Sequence, residues 1–305
     1  MRNVIVTGVT GKSGRFFYDR LVREAENLGD YTFRFSVRRG GSQFDAGAGE
    51  KAGLKLETIS GNLYKPEDCR ELCLGGDVLL HIAGIDKSLA LVKAAAEAGI
   101  KRMILVHTTG IYSKYKAAGE GYRQIESEIE SLLPEGTSLT ILRPTMIYGH
   151  LGDGNLEIFI KMIDKLRIFP TVTGGRYPLQ PVWCKDLGDA YFDVLTRPEV
   201  TGGKDYILSG GEPILLIDML KRIGEKLGKK NTFIPVPFWL AYGGAWALFC
   251  LTLGRIDFRE KIQRMVEPRA FPHDEAARDF GYSPARFEDG IDGEINEYIE
   301  SQKRR

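Results

Sequence analysis

The chain has 305 residues, and its 42 Lys+Arg against 41 Asp+Glu leave a formal net charge of only +1. That balance offers no basic excess for neutralising a nucleic-acid backbone, and 43% apolar residues is a globular composition rather than a disordered one. Of four cysteines only Cys69 and Cys73 lie close in sequence, with no metal-ligand spacing around them, so free thiols, no metal site and a reducing, cytoplasmic compartment are expected. The first residues run straight into a strand pattern and do not resemble a signal peptide.

Val4-Ile5-Val6 predicts a first strand, followed by a glycine-rich turn and a helix over 13–28. Further strands are predicted at 33–37, 54–59, 78–82, 103–106 and 139–142, with helices over 88–98 (stopped by Gly99) and 117–133. Strands alternating with helices imply a parallel sheet covered on both faces, a doubly wound α/β domain assigned to residues 1–150. Beyond Gly149 the pattern loosens into helices at 156–166, 187–196, 214–227 and 289–301, with short strands at 179–183 and 206–208. Residues 151–305 are expected to form a smaller α-rich cap for substrate, some of whose segments return to the sheet. Residues 231–254 carry no charge, and 238–253 is dense in Trp, Leu, Phe and Ala. Pro235, Pro237 and Gly243-Gly244 leave this stretch short of the ~20 residues that a spanning helix needs. A buried or substrate-lining helix is expected there; a membrane-surface contact, a span or a site for a hydrophobic partner are the alternatives.

Thr7-Gly8-Val9-Thr10-Gly11-Lys12-Ser13-Gly14 follows a strand and opens a helix. Glycines let the backbone approach a pyrophosphate, and the helix N-terminus offers unpaired N–H groups, so Gly8, Thr10, Gly11, Lys12, Ser13 and Gly14 are candidate dinucleotide ligands. Together with Asp77-Val78-Leu79-Leu80-His81-Ile82-Ala83-Gly84 and Ile141-Leu142-Arg143-Pro144-Thr145-Met146-Ile147-Tyr148-Gly149, this turn resembles the extended short-chain dehydrogenase/reductase superfamily, and within it the NAD-dependent epimerase/dehydratase branch. The likeness continues through Leu179-Gln180-Pro181-Val182-Trp183-Cys184-Lys185-Asp186 and ends at Phe280-Gly281-Tyr282-Ser283-Pro284, nearly the whole chain.

The resemblance implies a Rossmann fold and reversible hydride transfer at a carbinol or carbonyl carbon of a nucleotide sugar or similar polar molecule, in a protein that could be a homodimer. It places Asn62 (usually aspartate) and Leu63 at the adenine, Ala83 and Gly84 under the nicotinamide ribose, and Pro144, Thr145 and Met146 on the cofactor. Ser36-Val37-Arg38-Arg39 presents no acid to a ribose 2′-hydroxyl. Arg38 and Arg39, with Lys12, suit a 2′-phosphate, so NADP is expected over NAD, with a solvated arginine pair as the plain alternative.

The resemblance also asks for a Ser or Thr after the fifth strand, then a Tyr, then a Lys four residues on to stabilise the phenolate. Thr109 and Tyr122 fit the first two positions, but Glu126 occupies the third. A literal Tyr112-Ser113-Lys114-Tyr115-Lys116 lies too close to Thr109 for the usual helical position, although Lys114 or Lys116 could replace the missing lysine from this loop. Tyr122 also falls on an apolar stripe with Ala118, Ile125, Ile129 and Leu132, where packing alone would account for it. His150 at the crossing between the two parts, and Arg176 in a glycine-rich turn, are candidates for substrate contact, Arg176 equally for a surface ion pair. The leading expectation is an NADP-dependent oxidoreductase or epimerase; the alternative is a non-catalytic NADP-binding sensor or assembly protein in which Glu126 marks lost chemistry.

Overall fold

The computed structural model describes residues 1–38, 44–115, 117–152 and 154–304. Strands β1 (Arg2–Thr7), β2 (Tyr31–Arg38), β3 (Lys55–Gly61), β4 (Val78–His81), β5 (Arg102–Val106), β6 (Ser138–Pro144) and β7 (Asp205–Leu208) form one parallel sheet in the order β7-β6-β5-β4-β1-β2-β3. The pairing is in register, with Val4 opposite both Phe33 of β2 and Val78 of β4. Strands β1 and β4 are neighbours whose connections leave in opposite directions, so a crevice opens beyond their carboxyl ends.

Alternation along β1 sends its side chains to two cores. Val4 and Val6 join Phe33 and Phe35 under α1 (Lys12–Arg23), where Phe17 and Leu21 are fully buried. Ile5 points to the other face, with Leu79, Met103 and Leu105, under α2 (Pro66–Cys73), α3 (Ser88–Glu97) and α4 (Ala118–Leu132). Local signals set the helix ends. Pro66 stands at the start of α2 with Glu67 and Asp68 in the first turn, and Gly99, at φ +78°, follows α3.

Apart from two short helical turns at Gly47–Lys51 and Pro198–Thr201, the other helices are α5 (Leu156–Lys165), α6 (Cys184–Thr196), α7 (Leu216–Lys226), α8 (Phe238–Leu251), α9 (Arg259–Met265), α10 (Asp274–Phe280) and α11 (Phe287–Lys303). Helix α6 packs on α1 and completes the first core through Tyr191, Val194 and Leu195. Helices α5, α7 and α11 enclose a third core around Tyr148, Ile160, Met219 and Ile291, the heart of the cap. The 206–208 segment pairs with β6 and so belongs to the main sheet. Helix α1 stops at Arg23, short of the expected 28, and a single 3₁₀ turn covers Ala25–Leu28. Helices α2, α9 and α10 were not anticipated, being only 8, 7 and 7 residues long.

The expectation for 238–253 is overturned. Helix α8 forms, but Ala245 is its one buried residue and Trp239 is 73% exposed. Among the described residues no helix is long and apolar enough to cross a membrane.

At the crevice, His81 ends β4 fully buried. Its Nδ1 lies 2.6 Å from the Thr7 hydroxyl, and its Nε2 lies 3.0 Å from the Gly84 carbonyl. A neutral imidazole satisfies both, accepting from Thr7 and donating to Gly84, and burial pushes its pKa down to about 3. The unfolded chain protonates this group near ~6.5, so it binds more protons unfolded than folded, and stability falls with acid between those values. Half-buried Asp186, which accepts from the Ala285 amide and is pushed up to about 6 by desolvation, acts in the opposite direction over part of that range. The difference between proteins therefore isolates His81. Between pH 7 and 5 the wild type should lose about 2 kcal/mol more unfolding free energy than His81→Gln, measured by urea denaturation. Equal pH dependence in the two would refute a neutral His81.

Candidate active site

The crevice is a cavity of about 1470 Å³, running from the glycine turn to a strap formed by residues 264–271. The glycines of the turn have steric reasons. Gly8 holds φ +79°, and a Cβ on it would lie 2.8 Å from the Ala83 nitrogen. A Cβ on Gly14 would lie 2.1 Å from the Gly8 carbonyl oxygen, so α1 can begin beside β1 only without one. Gly11 caps α1 with no side chain, and no acid stands in the first turn. The positive helix end is thus left for an anion, and Thr10, Gly11, Lys12 and Ser13 line the cavity there. These features fit a dinucleotide pyrophosphate.

The other expected cofactor contacts gather along the same wall. Arg38, Asn62, Leu63, Ala83, Gly84, Pro144, Thr145 and Met146 all line the cavity. Asn62 shapes its own turn, its amide donating to Asp68 at 2.7 Å while its side-chain oxygen accepts from the Tyr64 amide at 3.1 Å. Lys12 donates to the Gly152 carbonyl, which ties the glycine turn to the start of the cap. Arg39 and Lys116 lie outside the described residues.

The expected catalytic and substrate residues separate. Thr109 lines the cavity, buried, with its hydroxyl donating to the Pro144 carbonyl at 3.2 Å. Lys114 lines it as well, and Tyr112 and Tyr115 of the same loop stand beside it. Tyr122 is not among the lining residues, and neither are His150 and Arg176. His150 lies between Arg15 of α1 at 3.2 Å and Glu297 of α11 at 2.9 Å, a joint between the sheet domain and the cap. Arg176 is exposed.

Glu126 belongs to a buried network. Arg143 of β6 grips its carboxylate with two bonds, of 2.6 and 3.0 Å, and His107 Nδ1 meets it at 2.8 Å. His107 Nε2 lies 3.1 Å from the Ser88 hydroxyl, and Arg143 also donates to Asp205 at 2.7 Å. Burial pushes the Glu126 carboxyl up, but the hydrogen bonds from His107 and Arg143 outweigh it and hold it below the usual range. An ionised Glu126 is thus a structural anchor for the buried guanidinium.

The far wall was missed from the sequence. Glu267 accepts from the Ser113 hydroxyl at 2.6 Å and the Lys114 amide at 2.8 Å, fastening the strap to the tyrosine loop. Phe271 donates its amide to Gln180 at 3.0 Å and packs its ring on Tyr112. Arg264 and Arg269 both line the cavity, and their buried Nε atoms have no hydrogen-bond partner among the described residues. Burial, with Arg264 nearby, lowers Arg269 to about 10. No periodicity or spacing marks these residues; only the fold of the strap brings them to the cavity.

Residues 8–158 match the family model for NAD(P)H-binding proteins. This is an NAD(P)-binding domain. A curated protein from Stigmatella aurantiaca, 4-hydroxy-2-methyl-3-oxo-4-farnesyl-3,4-dihydroquinoline-1-oxide ketoreductase, is 24% identical over 91% of this chain and 91% of its own. The triphenylmethane reductase of Citrobacter sp. superposes with a TM-score of 0.70 at 20% identity, covering 96% of this chain and 99% of that one; its complex with NADP(H) is also similar. A nucleoside-diphosphate-sugar epimerase from Pseudomonas aeruginosa gives a TM-score of 0.69 at 16% identity over 98% of both chains. The fold class is therefore the Rossmann-like α/β class that the sequence implied.

Placing the usual lysine at position 126 would set a second cation beside Arg143 and remove the carboxylate that Arg143 and His107 share. Glu126→Lys should lose about 3–5 kcal/mol of stability by urea unfolding, while Glu126→Gln, which keeps one acceptor, should lose less. A Glu126→Lys protein as stable as the wild type would show that the network carries no weight.

Proposed function

We propose that the protein is an NADP-dependent reductase acting on a carbonyl carbon. The observation that carries this reading is the single cavity that joins the glycine turn to Thr109 and continues to the strap. Its far end combines apolar Leu179, Val266 and Phe271 with the guanidinium groups of Arg264 and Arg269. That lining fits a ketone or quinone with an apolar body and an anionic or hydrogen-bond-accepting group. The Stigmatella relative, a ketoreductase, and the Citrobacter neighbour, a reductase, support it; a nucleotide sugar is the other substrate class, suggested by the epimerase likeness.

When bound, the nicotinamide would supply a hydride to the carbonyl carbon, and the carbonyl oxygen would need one proton to become a hydroxyl. Thr109 would hydrogen-bond that oxygen by turning its hydroxyl proton away from the Pro144 carbonyl, and Lys114 would favour the negative charge that develops on it. The phenol for the proton is Tyr112, which lines the cavity three residues after Thr109, in place of Tyr122. Arg38, at the end of β2 on the cavity wall, meets the 2′-phosphate. A second reading, a non-catalytic NADP-binding protein, draws support from Glu126, which is committed to Arg143 and His107 where the superfamily has its lysine.

Two measurements bear on these assignments. By calorimetry NADPH should bind more tightly than NADH, and Arg38→Ala should narrow the gap by about tenfold or more, as expected for loss of a charge-assisted contact; equal affinities in the wild type would refute the NADP assignment. With a panel of quinones and activated ketones, Tyr112→Phe should lower kcat at least about tenfold with NADPH affinity retained, and Tyr122→Phe should leave kcat within about twofold. The reverse pattern would return the role to Tyr122, and no NADPH consumption across the panel would favour the non-catalytic reading.

A further inference from the structure

Helix α8 turns its apolar side to water. At 3.6 residues per turn Trp239, Leu240, Gly243, Gly244, Trp246 and Leu251 fall within one arc of roughly 160°, and all six are exposed. A Cβ on Gly243 or Gly244 would meet nothing within 4 Å. The opposite side rests on the protein, with Ala245 buried and the Arg259 guanidinium of α9 lying 3.8 Å from the Phe249 ring centre. The turn after α8 continues the pattern. Leu253 is 89% exposed and sits at φ +51°, a left-handed position where glycine or asparagine is the unstrained choice. Solvation cannot account for a leucine there.

We infer that this helical hairpin is a peripheral anchor for an anionic lipid bilayer. The helix has 14 residues, about 21 Å, which is too short for a hydrocarbon core of about 30 Å. It is also too apolar on its outer arc for a surface exposed to water. A shallow position at the headgroup and acyl boundary suits both facts, and Trp239 and Trp246, seven residues apart on one face, are the side chains such a boundary favours. Charge selects this occupant. The uncharged stretch 231–254 is bracketed by Lys230 on one side and Arg255 and Lys261 on the other, all exposed and none in an ion pair among the described residues. An apolar layer beneath anionic headgroups complements that bracket, whereas a second copy would present the same cations to it. The anchor goes beyond the reductase reading and does not require it. Its consequence for the cavity is topological: α9 leads from the hairpin directly into Arg264 and the strap, so docking brings the far wall of the cavity to the membrane.

The test is flotation of the full chain with vesicles of phosphatidylcholine containing about one-third phosphatidylglycerol, beside pure phosphatidylcholine vesicles. The wild type should float with the anionic vesicles, less with the neutral ones, and less again at high salt. Trp239→Glu with Leu251→Glu should reduce the bound fraction at least about tenfold. Both positions are exposed, and NADPH titration of the same samples checks that the fold persists and reports on cofactor binding separately from lipid binding. No flotation of the wild type would overturn the anchor. So would a dimer in sedimentation analysis that the double variant dissolves, since the occupant would then be a second copy.

Discussion

The close approach of two backbones sets the geometry of everything that follows it. Gly8 leaves β1 in a left-handed conformation against the Ala83 nitrogen, and Gly14 lets α1 rise against the Gly8 carbonyl. No side chain fits at either point, so the turn, the first helix and the exit of β4 are one packed unit. His81 holds that unit from below through Thr7 and Gly84. The crevice beyond it inherits a helix end with no acidic residue to neutralise it, which suits it to the pyrophosphate of the proposed cofactor.

The second constraint is electrostatic. Arg143 lies on β6 and is buried, where a lone cation would be costly. Glu126 supplies the counter-charge from α4, and His107 shares the same carboxylate while reaching Ser88. These contacts lock α4, β6 and the exit of β5 together. The same contacts explain why a carboxylate stands where a superfamily enzyme carries lysine: position 126 faces a guanidinium, so a lysine there would repel what a glutamate holds. In the proposed reaction the help of a lysine has to come from elsewhere, and the Tyr112 to Tyr115 loop, fastened by Glu267, brings two phenols and an ammonium to the cavity wall beside Thr109.

The cap has its own division of labour. Helices α5, α7 and α11 are amphipathic and bury their apolar sides in a common core, as their periodicity requires. Helix α8 has no polar side to turn outward, and the fold leaves it at the surface. The short helix α9 then connects this unusual surface to the strap, so that one segment of chain is both an exposed apolar hairpin and a wall of the cavity.

Much of the architecture was legible in the residues, because parallel strands buried on both faces read as short apolar runs and the glycine turn has few alternatives. That these residues line one cavity was legible for the same reason, since they follow strand ends whose order local pattern reveals. The position of Thr109 on the cavity wall follows from its place after β5. The rest depended on tertiary structure. Whether Glu126 faces a phenol or an arginine is decided by the packing of α4 against β6, which no spacing within α4 encodes. Arg264, Glu267 and Arg269 reach the cavity only because the strap crosses back over it from more than a hundred residues away. The apolar composition of 238–253 was plain, but composition says that such a helix avoids water and not what covers it. Local physics, acting over a few residues, determined the strands, the turn and the helix ends; long-range packing decided which side chains share a site.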